Sequence, residues 1–329
     1  MKIVLDAMGS DDHPQPEIQA ALMACEQLGI EIMLIGKKDI LEDPLKSLNK
    51  MNLPVQIVHA PHLLSMDDKA VEGARKNPLN SMAVGLDLVK SGVAAAFVTA
   101  GNTGGAMFNG LRILGRMKGV LRPALPGIFP VHGGQCVVLD IGANADCRPE
   151  FLVQFAILGS VYAEKILNIK KPKIGLVANG EEPGKGNQLV RDTYPLLEKS
   201  GLNFYGNVEG KELFGGKVDV AVTDGFTGNV ILKTSEAVAK FMTEVLKEGL
   251  KSRLTTKIGG LLAKPAFTAL KMKMDPSEIG GAPLLGVDGI VIVGHGRSDA
   301  RALLNAIKVA KQAVEIKLND SLSKAIQEL

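Results

Sequence analysis

The stretch Asp219-Val220-Ala221-Val222-Thr223-Asp224-Gly225-Phe226-Thr227-Gly228-Asn229 runs from an apolar, β-branched segment straight into a small polar turn. Residues 218–222 have the pattern of a short strand covered on both faces. The turn supplies a carboxylate, a hydroxyl, a carboxamide and glycine amides within six residues. Ligands of open α/β sheets bind just beyond the carboxyl ends of strands. A helical pattern follows from Val230 to about Leu250, which places the turn at a helix N-terminus, a favourable seat for an anion. The same stretch is also readable as a plain strand-to-helix connection. Recurrence of the design along the chain favours the site.

Apolar strand-like runs recur at 3–8, 32–35, 55–60, 94–100, 136–141, 174–178, 204–208, 218–222 and 290–293. Helical patterns separate many of them, among others at 16–28, 82–91, 149–167, 187–200 and 298–318. Strands alternating with helices predict an α/β fold, a three-layer, mainly parallel sheet with helices on both faces. No linker or repeat divides the chain, so one unit over residues 1–329, bilobed at most, is expected.

A chain of 329 residues with 46% hydrophobic and 22% charged residues is of globular type. No apolar run reaches the roughly 18 residues that span a bilayer. Met1-Lys2-Ile3-Val4-Leu5-Asp6 reads as a strand rather than a signal peptide, because an acid interrupts it. Three scattered cysteines (Cys25, Cys136, Cys147) fit a reducing cytoplasm better than a disulfide framework. Cys147 follows a polar turn, yet no histidine lies near it in sequence, and it reads as a small filler.

The net charge of +3 is uneven. Six basic residues and no acid lie between Gly249 and Asp275, so the rest of the chain carries −3. Basicity this local, with no Trp and few aromatics, argues against nucleic-acid binding. Within 246–274, Leu250, Leu254, Ile258 and Leu262 are spaced four apart, one apolar stripe on a helix. Gly259-Gly260 and Pro265 interrupt it, which predicts two helices joined by a bend, with Phe267, Leu270 and Met274 on the second. An apolar tip (Leu254, Ile258, Leu261, Leu262, Phe267) with a basic flank suits an anionic membrane surface, a dimer contact, or both.

Five polar turns follow strands: Asp6–Asp11, with Gly9 and Ser10; Thr99–Gly105, with Asn102 and Thr103; Asp140–Asn144; Asn179–Asn187, with Gly180, Glu181 and Lys185; and Asp224–Asn229, with Gly225 and Thr227. Glycines let backbone N–H groups approach an anion, and Asn and Thr add neutral donors that do not repel phosphate. Five such turns displayed on one sheet edge predict a phosphate or phosphoester site. Nucleotide motifs fail here. Gly180 lies too close to Gly184-Lys185 for a P-loop, and Gly186 stands where a Ser or Thr is required. Gly294-His295-Gly296 begins like a dinucleotide fingerprint, but Asp299 takes the third glycine's place. His59 and His62 have no ligand cluster around them, so neither metal nor cofactor is expected.

At these turns the chain resembles the PlsX-type phosphate acyltransferases. The motifs are DAMGSDDHP (6–14), AGNTGG (100–105), LDIGAN (139–144), NGEEPGKGN (179–187), GNVEG (206–210), DVAVTDGFTGNVILK (219–233) and GGAPLLGVDGIVIVGHGRS (280–298). Ser10 replaces a glycine usual in the family, and Gly105 stands where a small residue such as Ala is usual. The resemblance implies a fold like that of phosphate acetyltransferases and isocitrate- or isopropylmalate-type dehydrogenases. It implies conversion of long-chain acyl-acyl-carrier-protein and inorganic phosphate to acyl phosphate. It also implies a cytoplasmic homodimer that attaches peripherally to the inner membrane face and supplies a membrane glycerol-3-phosphate acyltransferase in phospholipid synthesis.

Such a reaction needs phosphate held beside a thioester, a stabilised oxyanion and a protonated leaving thiolate. Ser10, Asn102, Thr103 and Asn229 are candidate phosphate ligands, with Gly9, Asn144, Asn179, Gly180, Gly225 and Thr227 lining the site. Lys185 is assigned to phosphate or the oxyanion. Asp224 would orient Lys185 or carry a proton, His295 is a candidate acid for the thiolate, and Glu181 a weaker one. Rival readings are a short-chain acyl-CoA phosphate transferase, an isopropylmalate-type oxidoreductase and a non-enzymatic scaffold for lipid or carrier protein.

Overall fold

The computed structural model of the chain describes residues 1–268 and 276–328. Its strands are β1 (Lys2–Asp6), β2 (Glu31–Gly36), β3 (Val55–His59), β4 (Ala96–Thr99), β5 (Gly127–Val131), β6 (Gly134–Leu139), β7 (Ile174–Val177), β8 (Phe204–Val208), β9 (Val220–Val222), β10 (Gly281–Pro283) and β11 (Ile290–Gly294). They form two sheets rather than one, ordered β10-β11-β4-β1-β2-β3 and β5-β6-β9-β7-β8. All nine strands expected from the sequence are present and pair in parallel. The two additions, β5 against β6 and β10 against β11, are antiparallel edge strands. Each carries a proline, which removes a ladder donor and is tolerated at an edge.

Alternating side chains of the first sheet bury into separate layers. Ile3, Leu5 and Val98 join one apolar cluster, which the helices Gln15–Leu28 and Ala300–Glu315 complete. Val4, Met33 and Phe97 face the helix Ser81–Lys90 on the other side. That helix sits close because residue 85 is glycine: a Cβ there would lie 2.5 Å from the Phe97 ring. The first cluster continues into the second sheet through Val137, Leu139, Val220 and Val222, covered by the helix Pro149–Ile166. Helices thus lie on both faces, as expected.

The helix Gly225–Lys251 leaves this body, burying only Gly225 and Gly228. Phe226, Val238, Phe241, Met242, Val245 and Leu246 remain exposed along it. The chain turns at Ser252-Arg253 and continues as Leu254–Leu262. This bend falls seven residues before the Gly259-Gly260 pair and parts Leu250 from the rest of the apolar stripe, whereas the interruption expected at Pro265 is present: the second helix is capped at Ala263 and helix resumes over 264–268. Local polar bonds account for the corner: Ser252 Oγ donates to Gly249 O, and Thr256 Oγ1 accepts from Arg253 N while donating to Leu250 O. Gly260 sits inside the second helix, where its missing side chain leaves room for Leu250. Leu254, Ile258, Leu261 and Leu262 are exposed and Phe267 is half-buried. Leu270, Lys271, Lys273 and Met274 lie outside the described residues.

Candidate functional site

Two of the five turns belong to the first sheet. Asp6 ends β1 fully buried, and its carboxylate accepts from Thr99 Oγ1 (2.8 Å) and Met8 N (3.2 Å). Thr99 Oγ1 in turn accepts from Gly101 N (3.0 Å), which ties the turns after β1 and β4 together. Gly9 is required at their crossing, where a Cβ would lie 2.8 Å from Gly101 N. The turn after β11 joins them through Asp11 N and Gly296 O (2.7 Å), which brings His295 alongside. Asn102 caps the helix Thr103–Ile113 by accepting from Gly105 N, and its amide donates to the carbonyls of Ser65, Met66 and Asp68. Its polar atoms are thus spent on structure. The cap leaves the N–H groups of Thr103 and Gly104 without helical partners, beside the exposed Thr103 side chain.

The other three turns belong to the second sheet. The buried Asp140 carboxylate at the end of β6 accepts from the N–H groups of Leu125, Gly142, Ala143 and Asn144 and from Asn144 Nδ2. Burial raises its pKa, and the hydrogen bonds from Ala143, Asn144 and Leu125 pull it back down. Asn144 is committed further, donating to Pro123 O (2.7 Å). Asp224 ends β9 by capping the next helix, accepting from Thr227 N and Thr227 Oγ1 (2.8 Å each). It makes no bond to Lys185 among the described residues, because its oxygens are occupied by the cap. Gly225 packs against Asn144 O and Gly228 against the Asp140 carbonyl, so the turns after β6 and β9 touch. Asn229 faces out beside Gly142.

In the turn after β7, Asn179 accepts from Gly186 N (2.9 Å), and Asn207 Nδ2 holds Glu182 O (2.8 Å). Gly180 lets the Lys185 stem fold across it. The Lys185 ammonium is exposed and has no carboxylate partner among the described residues. Glu181 turns away to pair with Lys211 (2.7 Å), which also meets Glu209 (3.3 Å) and Glu212 (3.6 Å). The hydrogen bond from Lys211, then its charge, lowers the Glu181 pKa, so Glu181 is a poor proton donor. A cavity of about 350 Å³ opens at this turn, lined by Leu152, Val177, Asn179, Leu189, Asp224 and Thr227 among others. A smaller hollow of about 170 Å³ beside Lys2 and Glu31 lies at the opposite ends of the strands.

His295 lies exposed beyond β11, within electrostatic range of the helix that starts at Gly225. Its ring is lowered in pKa chiefly by desolvation, while Glu236 raises and Lys233 lowers it, both on the helix that starts at Gly225. A neutral imidazole near pH 7 offers one N–H donor rather than a ready proton. Burial, then the Asp140 charge, pushes the Cys147 thiol up to about 12, and its Sγ donates to Asn144 O, in keeping with a packing role.

The sequence reading missed the buried carboxylates beneath the turns, Asp6, Asp140 and Glu17. An acid ending an otherwise apolar strand was the available signal for the first two. Glu17 Oε1 accepts from Ser10 N (3.0 Å), while Glu17 Oε2 and Ser10 Oγ are buried without partners among the described residues. Burial raises the Glu17 pKa, opposed by the hydrogen bond from Ser10 N and aided by the Asp6 charge. Because the folded pKa lies above the unfolded one, the folded state holds this proton more tightly. The associated stability is present at low pH and declines as pH rises from the unfolded to the folded value. Glu17→Gln, which stays neutral, is expected to flatten the stability profile above about pH 4.5. Urea unfolding at a series of pH values reads this; a parallel profile in both proteins contradicts it.

A family model described as "fatty acid synthesis protein" matches residues 1–320. A phosphate acyltransferase of Acidobacterium capsulatum is 47% identical over 321 residues, 97% of this chain and 95% of that protein. One of Elusimicrobium minutum is also 47% identical, over 96% and 93% of the two chains. Among solved structures, a phosphotransacetylase from Streptococcus pyogenes superposes with a TM-score of 0.62 at 16% identity, covering 99% and 94% of the two chains. A 4-hydroxythreonine-4-phosphate dehydrogenase from Klebsiella pneumoniae gives 0.52 at 13% identity, over 95% and 98%. At these identities the likeness is one of fold.

Proposed function

The chain belongs to the fatty acid synthesis protein family, that of the PlsX-type phosphate acyltransferases, and from that premise we propose that it transfers a long-chain acyl group from acyl carrier protein to inorganic phosphate. One observation supports this most. Polar turns at the strand ends of both sheets lead into the N-termini of the helices Thr103–Ile113 and Gly225–Lys251, and the side chains of Thr103, Lys185, Asn229 and His295 make no side-chain hydrogen bond or ion pair among the described residues.

Phosphate would sit on the N–H groups of Thr103 and Gly104, with Thr103 Oγ1 and Asn229 as further ligands and Ser10 behind them. An oxygen of hydrogen phosphate adds to the thioester carbonyl carbon, the resulting oxyanion collapses as the C–S bond breaks, and the leaving thiolate takes up the proton that the phosphate loses. Phosphate is already anionic at neutral pH, so positioning and charge stabilisation carry the catalysis. Lys185 would stabilise the oxyanion or the phosphate. Asp224 would fix the helix start rather than move a proton, and His295 would donate its one N–H.

The exposed apolar face of Gly225–Lys251 suits a second copy of the chain, giving a homodimer. The tip at Leu254, Ile258, Leu261 and Leu262 suits the cytoplasmic face of an anionic membrane, where acyl phosphate would pass to a glycerol-3-phosphate acyltransferase. Leu254→Glu/Leu262→Glu is expected to lose binding to anionic vesicles while keeping turnover of a soluble thioester; unchanged sedimentation with vesicles would sink the membrane reading.

The function itself is tested by acyl phosphate formation from palmitoyl-acyl-carrier protein and phosphate. The parent should form it, and a folded Lys185→Ala variant should be slower by about a hundredfold. Equal rates would remove Lys185 from the mechanism. Product from acetyl-CoA alone would favour a short-chain transferase, and no product from either thioester would favour a scaffold.

A further inference from the structure

From Leu88 to Leu139 the chain carries five basic residues and no acid. Four of the five, Arg112, Arg116, Lys118 and Arg122, fall within eleven residues. The fold adds Arg148 to this run. The guanidinium carbons of Arg122 and Arg148 each lie 5.8 Å from the centroid of the same ring, Phe151, at the start of the helix Pro149–Ile166. Both arginines are exposed, and neither forms an ion pair among the described residues. Asp146 and Glu150 flank Arg148 in sequence, yet neither comes within ion-pair distance of it. Two like charges held at one aromatic ring without a counter-ion repel each other, and an acidic partner relieves that repulsion.

The neighbouring loop is built rather than slack. Arg116 Nη1 donates to Leu121 O, Leu121 N donates to Gln154 Oε1, and Gln154 Nε2 donates to Gly119 O. These bonds hold Arg116 and Lys118 beside the Arg122–Phe151–Arg148 clamp, with Leu121 exposed among them. The surface also adjoins the site. The next residues of the loop receive Asn144 Nδ2 at Pro123 O and deliver Leu125 N to the Asp140 carboxylate.

We propose that this surface, Arg116, Lys118, Arg122 and Arg148 around Leu121, docks an acidic carrier protein so that its thioester arm enters beside the Asp140–Asn144 turn. The assignment rests on the transferase reading above and adds where the donor lands. A helix presenting carboxylates around one apolar side chain has the complementary pattern. Rim charges of this kind act mainly on association and its salt dependence, less on the bound chemistry.

The test is Arg122→Glu/Arg148→Glu, with Arg122→Gln/Arg148→Gln as the milder pair should the first fail to fold. Turnover is compared on palmitoyl-acyl-carrier protein, hexanoyl-CoA and hexanoyl-pantetheine, alongside binding of fluorescently labelled carrier protein. The expected result is a KM for the carrier substrate raised about tenfold or more at unchanged kcat, and a weaker salt dependence of kcat/KM. Labelled carrier should bind correspondingly less tightly, with hexanoyl-pantetheine turned over as before. An unchanged carrier KM and affinity overturns the proposal. So does an equal loss on hexanoyl-pantetheine, which marks the clamp as structural, or an equal KM rise on hexanoyl-CoA, which marks it as a phosphate site. A parent that binds carrier through the clamp but makes no acyl phosphate overturns the transferase reading and leaves the docking surface standing.

Discussion

Replacing Asp140 by alanine is expected to lower stability by about 4 kcal/mol and to abolish activity. One buried carboxylate collects five donors: the N–H groups of Leu125, Gly142, Ala143 and Asn144, and the Asn144 amide. Without it these donors lose their acceptor inside the protein, at about 1–3 kcal/mol for each one left buried and unpaired. Water entering the vacated space satisfies some of them, which keeps the total below the simple sum. Asp140→Asn retains one acceptor oxygen but turns an NH2 towards the remaining donors, so it too should fail, by a smaller margin. The midpoint of urea unfolding measures both; a loss under 1 kcal/mol for Asp140→Ala contradicts this account of the turn.

Gly228→Ala is the second large effect. Residue 228 lies in the first turn of the helix Gly225–Lys251, where alanine is ordinarily favoured over glycine by about 1 kcal/mol. Here the added Cβ would overlap the Asp140 carbonyl oxygen and stand 2.9 Å from its carbon and 3.2 Å from Ile141 Cα. All three are backbone atoms, which cannot rotate aside. Overpacking usually costs about 1–3 kcal/mol, and rigid neighbours place this site at the upper end. A net destabilisation of about 2 kcal/mol is expected after the helix gain, together with loss of turnover as the two turns part. Gly184→Ala, whose Cβ meets nothing within 4 Å among the described residues, is the control and should be within about 0.5 kcal/mol of the parent. Equal stabilities for the two variants would show that the turns after β6 and β9 are not in tight contact.

The sequence made the strands legible because the central ones are buried on both faces and read as unbroken apolar runs. β5 and β10 escaped because edge strands carry Pro130 and Pro283, which interrupt that pattern. The division into two sheets was invisible for a different reason. Strand order is set by which elements pack across the chain, and no local pattern separates β4 from β6. The polar turns were found, yet side-chain roles within them were only half readable. Asn102, Asn144, Asn179 and Asp224 have the residue types of ligands, but the fold spends them on capping helices and closing loops. Thr103, Lys185 and Asn229 keep their polar atoms for something else. The hairpin corner at Ser252-Arg253 was missed because hydroxyls, rather than the obvious glycine pair, close it.

In the proposed site, turns from two different sheets grip one phosphate. A double-mutant cycle on the phosphate KM tests it, with Thr103→Ala from the first sheet and Asn229→Ala from the second. Each single variant is expected to raise the phosphate KM by about tenfold, leaving the KM for the thioester unchanged. The double variant should depart from the product of the two effects, because both side chains hold the same ion. Phosphate KM values that stay at the parent's level in both single variants would show that these two turns do not hold the ion.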